Sequence, residues 1–414
     1  MRYDEQHIEI REVESEGEGE GEGDENETKY PKNEECFDNK IIEYNILPTD
    51  ESILTSDAVQ HFREEGYIIF NRPLLSHETV QNLNYRLENV LRGIYDLNRP
   101  PDKRPKLVKV PLPVAMTTHS RNKNEKAEAG GPLGYTGNTQ NVRVQQIINI
   151  NKCDETFRNV ALGQQHLGEM VSKLMGWSDR GVGARLAQDQ IWAKPPGAPP
   201  LAYHRDSPYF MFEPPDVATV WISLDDLSSA DLGPLEYVSG SHLWGDGRIG
   251  STKNFFLDTR RKKLDFDELD EHKDHDINNN NDASYIDLDD LLRSAAEREG
   301  VDSNKLKFVT TLGMKAGGMS IHNGRTWHGS KGNKTGTRKD RNPRHEGTAK
   351  PRRGLGLHFV PSDVQWTRDA KKSSLWKKYV TGYVKEHEDG TLTELKDLSK
   401  LEVDLNDFPI VWMP

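Results

Sequence analysis

Two imidazoles and one carboxylate are the side chains on which chemistry can be built in this chain. His204 and Asp206 stand in Tyr203-His204-Arg205-Asp206-Ser207-Pro208-Tyr209, and a late histidine, His328, stands in Thr326-Trp327-His328-Gly329-Ser330. Side chains one residue apart on an extended strand share a face, so His204 and Asp206 can grip one ion from one side. A third ligand then has to come from a distant part of the chain. A face of two histidines and one carboxylate leaves coordination positions open, which suits a non-haem Fe(II) that must also take a co-substrate and O2.

Elements that could position such a face are legible around it. From Arg185 to His242 the sequence runs in short β segments, 186–194, 217–224 and 235–238, punctuated by turns, and strand signals resume at 308–314, 319–322 and 354–360. Regularly spaced short strands indicate a barrel or sandwich. Ahead of them, Thr55-Ser56-Asp57 offers an N-cap for a helix followed by the strand Tyr67-Ile68-Ile69-Phe70. A second helix, about residues 76–95, carries Val80, Leu83, Tyr85, Leu87, Val90, Leu91 and Tyr95 as an apolar stripe, and residues 155–174 make a third. Between these helices Val142 to Ile148 is a strand with Arg143 and Gln145 on one face. Residues 98–139, rich in Pro, Lys, Gly and Asn, form a long connection, and 245–305, with four consecutive Asn at 278–281 and a helix near 287–299, interrupt the β rhythm as an insertion.

Composition limits what surrounds this core. Of the 414 residues 34% are hydrophobic and 29% charged, so the globular part is smaller than the chain. Residues 11–27 carry nine acids and one base around a Glu-Gly alternation, and the expectation is a disordered acidic tail over residues 1–45. One domain over 46–365 with the 245–305 insertion follows, then a 366–414 extension packed on it through Phe408, Ile410, Val411 and Trp412. The net charge of -12 argues against a chain-wide nucleic-acid binder. Cys36 and Cys153, the two thiols of the chain, exclude both a disulfide scaffold and a thiolate zinc cluster. The absence of a bilayer-length apolar run or a basic, apolar leader leads to the expectation of a cytoplasmic protein without membrane partners.

His-x-Asp alone occurs by chance, and its context adds specificity. Lys194-Pro195-Pro196-Gly197, Tyr203-His204-Arg205-Asp206, Thr219-Val220-Trp221-Ile222-Ser223-Leu224-Asp225-Asp226, Gly233-Pro234-Leu235 and Gly240-Ser241-His242 resemble, in order and spacing, the phytanoyl-CoA dioxygenase family. The later block, Gly317-Gly318-Met319-Ser320-Ile321-His322-Asn323 before Trp327-His328-Gly329-Ser330, is similar to that family's distal-histidine segment. The resemblance implies a mainly β fold with flanking helices, a double-stranded β-helix (cupin-like jelly roll), with Fe(II), 2-oxoglutarate and O2 as cofactor and co-substrates. It implies His204, Asp206 and His328 as the iron ligands, with His322 the competitor for the third place. It also implies an arginine after the distal histidine for the far carboxylate of 2-oxoglutarate, because a guanidinium pairs with a carboxylate through two parallel hydrogen bonds. Arg352 fits, and Arg353, one residue on, faces the other way. Ser330 for the same carboxylate, Trp221 packed on the cofactor, and Arg143 or Gln145 at its other end complete the expected contacts, each of which equally fits plain barrel lining.

That reading implies hydroxylation of a small-molecule substrate. Some relatives in this fold halogenate, with a small residue in place of the facial carboxylate, and the presence of Asp206 disfavours that. Residues 331–353 hold nine bases against two acids, which fits a phosphate-bearing substrate such as an acyl-CoA, although a solvated surface loop is the commoner meaning of such a run. A cupin-like barrel that binds metal or ligand without turnover, and a zinc hydrolase, are the competing classes.

Overall fold

Thr55 starts the first helix as expected: its side chain accepts the Ala58 N–H, and α1 (Ser56–Glu65) ends at Gly66, whose left-handed φ of 82° turns the chain directly into β1 (Tyr67–Ile69). The computed structural model describes residues 54–70, 72–104, 144–163, 165–245, 290–335, 350–367, 370, 376–380, 384–386, 392–394 and 403–414. Expectations for the acidic tail, for most of the 98–139 connection and the 245–305 insertion, and for Arg143, Arg338, Lys339, Arg341 and Arg344 lie outside those residues.

Ser76 caps α2 (His77–Leu91), and Val80, Leu83, Leu87, Val90 and Leu91 are buried. Tyr85 is 61% exposed, because two residues from both Leu83 and Leu87 is the opposite side of the helix. After β2 (Gln145–Ile148), the helix expected over 155–174 is two, α3 (Glu155–Leu162) and α4 (Gln165–Leu174). Gly163 divides them: its N–H closes α3 on the Asn159 carbonyl so tightly that a Cβ there would lie 2.6 Å from that oxygen.

The remaining elements are β3 (Ala184–Lys194), β4 (Leu201–His204), β5 (Phe212–Glu213), β6 (Ala218–Ser223), β7 (Leu235–Val238), α5 (Asp290–Arg298), β8 (Phe308–Thr310), β9 (Met319–Asn323), β10 (His328–Ser330), β11 (Arg352–Pro361), β12 (Gln365–Trp366), α6 (Lys377–Val380), β13 (Val384–Glu386), β14 (Leu392–Glu394) and β15 (Ile410–Trp412). A seven-stranded antiparallel sheet runs β1-β9-β6-β11-β3-β15, with β2 also on β3, and a four-stranded sheet runs β4-β10-β7-β8. The two sheets meet face to face, as the 2.7 Å hydrogen bond between Tyr237 on β7 and Ser320 on β9 shows. This is a jelly roll of two open sheets.

Strand alternation divides the large sheet chemically. On β11, Leu355, Leu357 and Phe359 join Ile147, Ile191, Val220 and the buried faces of α2, α3 and α4 in the main apolar core. Arg352, Gly354, Gly356 and His358 point the other way, opposite Lys194, Trp192, Gln190 and Gln188 of β3. Burying that many polar groups costs free energy unless each is satisfied, so the inner face is the place to seek function. Beyond β11 the chain packs back: Trp366, Trp376 and Phe408 cluster with Phe210 and Phe212, and β15 pairs with β3. Of the four expected anchors, Phe408 and Val411 are buried, whereas Ile410 is 38% exposed on its short edge strand.

Candidate active site

His204 and His328 are a cross-strand pair on β4 and β10, their ring centroids 4.2 Å apart. His328 lies on a three-residue strand whose pairing with β4 and β7 overrides the weak strand tendency of His-Gly-Ser. Strand alternation does not place Asp206 beside His204. The strand ends at His204, and Asp206 lies in the following bend, where its N–H and that of Ser207 both donate to Gly324 O at 2.8 and 2.9 Å. Gly324 allows this approach, since a Cβ there would lie 2.6 Å from Val217 Cβ and 2.8 Å from Ser207 Oγ. The carboxylate is thus aimed by a loop contact instead of by strand alternation.

The candidate ligand atoms of His204, Asp206 and His328 lie within 4.8 Å of one another. Asp206 Oδ1 is 3.8 Å from His204 Nε2 and 3.7 Å from His328 Nε2. Each ring is turned by its other nitrogen: His204 Nδ1–H donates to Ala202 O at 2.8 Å and His328 Nδ1–H to Thr326 O at 2.9 Å. A carbonyl can only accept, so both Nε2 lone pairs face the shared space. Burial pushes both imidazoles down to about 4, so they are neutral and able to bind metal at neutral pH. Asp206 Oδ2 is occupied by the wall, accepting from Thr219 Oγ1 at 2.5 Å and from His322 Nε2 at 3.1 Å, with His358 Nε2 3.8 Å away. Although burial opposes it, the neighbouring histidines hold the Asp206 carboxyl well below the usual carboxylate range. His322, the competitor for the third ligand position, therefore sits behind the carboxylate as its hydrogen-bond donor. Two neutral imidazoles and one monoanionic oxygen on one side fit a non-haem iron with open positions.

The opposite end of the inner face is cationic. Arg352 is 1% exposed, its Nε and Nη2 have no hydrogen-bond partner, and its Cζ lies 5.1 Å from the Trp221 ring centroid. Burial lowers its pKa to about 10, still far above neutrality. Arg353 on the other face is spoken for, its guanidinium and backbone N–H both donating to Asp225. Lys194, directly opposite Arg352, donates from Nζ to Ser330 Oγ at 2.9 Å and Lys331 O at 2.8 Å. Gly354 is where Trp221 lies against the strand, a Cβ there falling 2.6 Å from the indole, while at Gly356 a Cβ would meet nothing nearer than His358 Cε1 at 3.4 Å. The Arg352 cation, the Lys194 amine and a hydroxyl at one end, space over Gly356, and the candidate ligand face at the other end fit a dicarboxylate co-substrate reaching toward the metal position.

Sequence reasoning missed Lys194, whose family-like Lys-Pro-Pro-Gly context was the available signal, and the Thr219 and His322 contacts to Asp206. It also took the wrong face of β2. Gln145 pairs with Ala193 on the helix-facing side, whereas Gln146 pairs with Trp192 and donates from Nε2 to Gln190 Oε1 at 2.9 Å on the inner side. Arg143, on the same parity as Gln145, lies outside the described residues.

The sequence matches the phytanoyl-CoA dioxygenase (PhyH) family over residues 62–341, more than half of the chain. No curated protein matches it. Similar solved structures include the epimerase SnoN from nogalamycin biosynthesis, in complex with Fe3+, alpha ketoglutarate and nogalamycin RO, at 15% identity, covering 85% of this chain and 96% of that one, with a TM-score of 0.47. EvdO2 from Micromonospora carbonacea var. aurantiaca, complexed with 2-oxoglutarate, has 16% identity, coverage of 76% and 94%, and a TM-score of 0.39. EctD from S. alaskensis has 16% identity, coverage of 77% and 81%, and a TM-score of 0.39.

Proposed function

Because the chain belongs to the phytanoyl-CoA dioxygenase family, whose members are iron- and 2-oxoglutarate-dependent enzymes, we propose that it hydroxylates a C–H bond of a small organic substrate. Succinate and CO2 are the co-products. The observation that carries this reading is the buried, unpaired Arg352 guanidinium at one end of the inner face, with His204, Asp206 and His328 at the other. A barrel that had lost its co-substrate would have no use for an uncompensated buried cation, which is costly to keep.

Bound iron with 2-oxoglutarate supplies the oxidising power that removes hydrogen from carbon. The chain's own residues do the positioning. His204 and His328 present Nε2, and Asp206 presents Oδ1 while Thr219 and His322 hold Oδ2 back, which keeps the carboxylate to one ligand atom. Arg352, Lys194 and Ser330 take the far carboxylate of the co-substrate, and Trp221 keeps the Arg352 side chain in place from its flank. Asp206 also favours hydroxylation over halogenation, since the facial carboxylate occupies the place a halide would need.

Anaerobic titration with Fe(II) and 2-oxoglutarate tests the reading directly. The chelate should give a metal-to-ligand charge-transfer band, and its absence would sink the proposal. Asp206→Ala should abolish coupled succinate release. Among the described residues no helix is long and apolar enough to cross a membrane; operation in the cytoplasm remains part of the proposal and rests on the two-cysteine composition.

A further inference from the structure

One buried amide on the inner face is left over when the iron ligands and the co-substrate site have been assigned. Gln188 of β3 is 1% exposed, and its side chain lies on the inner face opposite His358, whose Nδ1–H donates to the Gln188 carbonyl at 3.2 Å. Tyr209, three residues beyond Asp206, donates its O–H to Gln188 Oε1 at 3.2 Å. The Nε2 group, with two N–H donors, has no partner. With Tyr209 donating to Oε1, the unpartnered atoms are donors, which suit a hydroxyl or carbonyl oxygen; the turned-over amide would leave an acceptor that suits a hydroxyl alone. A buried polar group without a partner is destabilising, so one that persists points to a ligand that completes it.

The location says which ligand. Arg352, which takes the far carboxylate of 2-oxoglutarate, is six residues along β11 from His358, about 20 Å at strand spacing. Gln188 is at the His358 end, where His358 Nε2 comes within 3.8 Å of Asp206 Oδ2. Its surroundings are aromatic: the Phe210 ring is 5.1 Å from His358 and 5.4 Å from Trp376, and Trp376 Nε1 donates to Tyr209 O at 2.8 Å. An apolar wall with one convergent amide and phenol is the composition of a small-molecule pocket in which the few polar groups set orientation.

Resting on the dioxygenase reading, we propose that Gln188, braced by Tyr209, is a substrate-orienting residue. It takes a hydroxyl or carbonyl oxygen carried close to the carbon that is oxidised. The substrate is then an oxygenated small molecule held by that oxygen, and a plain hydrocarbon chain is rejected. A site built to hydrogen-bond a substrate group discriminates against the analogue lacking it far more strongly than an apolar pocket discriminates by a methylene.

The test uses the full-length protein loaded with Fe(II) and 2-oxoglutarate, and measures succinate release with an acyl-CoA, a cyclic amino acid, a pyranoside, a hydroxylated polycyclic ketone and a plain long-chain hydrocarbon. At least one oxygen-bearing compound should stimulate release, and the hydrocarbon should not. For the stimulating compound, Gln188→Met should raise KM about tenfold or more while the KM for 2-oxoglutarate stays within about twofold and Tm does not fall. Gln188→Glu, which keeps the acceptor for Tyr209 and loses both donors, should raise the same KM. Stimulation by the hydrocarbon alone or by no oxygenated compound overturns the proposal. So does a lower Tm with unchanged substrate KM, the mark of a structural residue, or a raised KM for 2-oxoglutarate, the mark of a co-substrate contact. A wild-type protein without the charge-transfer band fails the dioxygenase reading itself, whereas an intact band with any of these outcomes fails only the role of Gln188.

Discussion

Lys194 and Arg352 face each other across β3 and β11 as two buried basic groups, and among the described residues neither has a carboxylate within ion-pair distance. Burial depresses the Lys194 ammonium well below its usual range, with the Arg352 charge adding to the effect. Such a pair is stable only at a cost, and a dianionic co-substrate would relieve it. Arg352→Gln should therefore weaken 2-oxoglutarate binding by about 100-fold or more, as expected for loss of a charge-assisted pair of hydrogen bonds worth about 2–3 kcal/mol. It should leave Tm level or raise it. Lys194→Met should weaken binding by about tenfold, and the double variant should show less than the sum, because both act on one carboxylate. Titration of the charge-transfer band measures each affinity. A fall in Tm with unchanged affinity would assign the pair to the fold.

The neighbouring Arg353 should behave in the opposite way. Its guanidinium makes a two-pronged contact with Asp225, each side chain 16% exposed. Arg353→Gln should cost about 1–3 kcal/mol, between the values for exposed and fully buried pairs. Denaturant midpoints should show that loss, and the 2-oxoglutarate affinity should not move. Equal effects of Arg352→Gln and Arg353→Gln on affinity would remove the distinction drawn between the two faces of β11.

That distinction was legible in the sequence, since strand parity separates neighbours, and so was the clustering of His204, Asp206 and His328, since several motifs agreed on their order. What was not legible depended on partners. The parity rule chose the wrong glutamine on β2 because the sequence around Gln145 and Gln146 does not reveal which face meets the helices; the pairing with Ala193 and Trp192 decides it. β10 is a strand only because β4 and β7 flank it. Lys194 at the end of a long buried strand looks like a residue leaving for solvent, and only its pairing with Arg352 turns it inward. The Asp206 aim needed Gly324, 118 residues later, which no local pattern predicts.

Asp189, on the helix-facing side of β3, provides a pH test of the fold away from the metal position. Burial raises its pKa from the ordinary 3.8 to about 6, although Asn151 donates to it from both its backbone and its side chain. Between those values the folded protein keeps a proton that the unfolded chain releases. The associated stability is complete below about pH 4 and is lost as pH rises through about 6, a change of about 3 kcal/mol. Asp189→Asn should remove this part of the pH dependence and be more stable than wild type at pH 8. Urea midpoints from pH 4 to 8 measure it, and parallel curves for the two proteins would show that Asp189 titrates normally.

Thr219 and His322 donate to Asp206 Oδ2 from β6 and β9, the oxygen that the proposed iron site leaves free. Removing one such support leaves the proposed ligand Asp206 in place but lets it rotate, so its effect belongs in metal affinity. Thr219→Val keeps the shape of the side chain and removes the donor, and His322→Leu removes the other. Each should weaken Fe(II) binding by about 10–100-fold, as is usual for residues that orient a metal ligand. Once iron is saturating, most of the succinate release should return in Thr219→Val, because the three ligand atoms are all still present. Asp206→Ala should not recover at any iron concentration. Equilibrium iron titration separates the cases: if Thr219→Val binds iron as tightly as wild type, the hydrogen bond to Oδ2 serves packing alone, and if it fails to recover at saturation, Thr219 has a more direct part in the site than the geometry assigns to it.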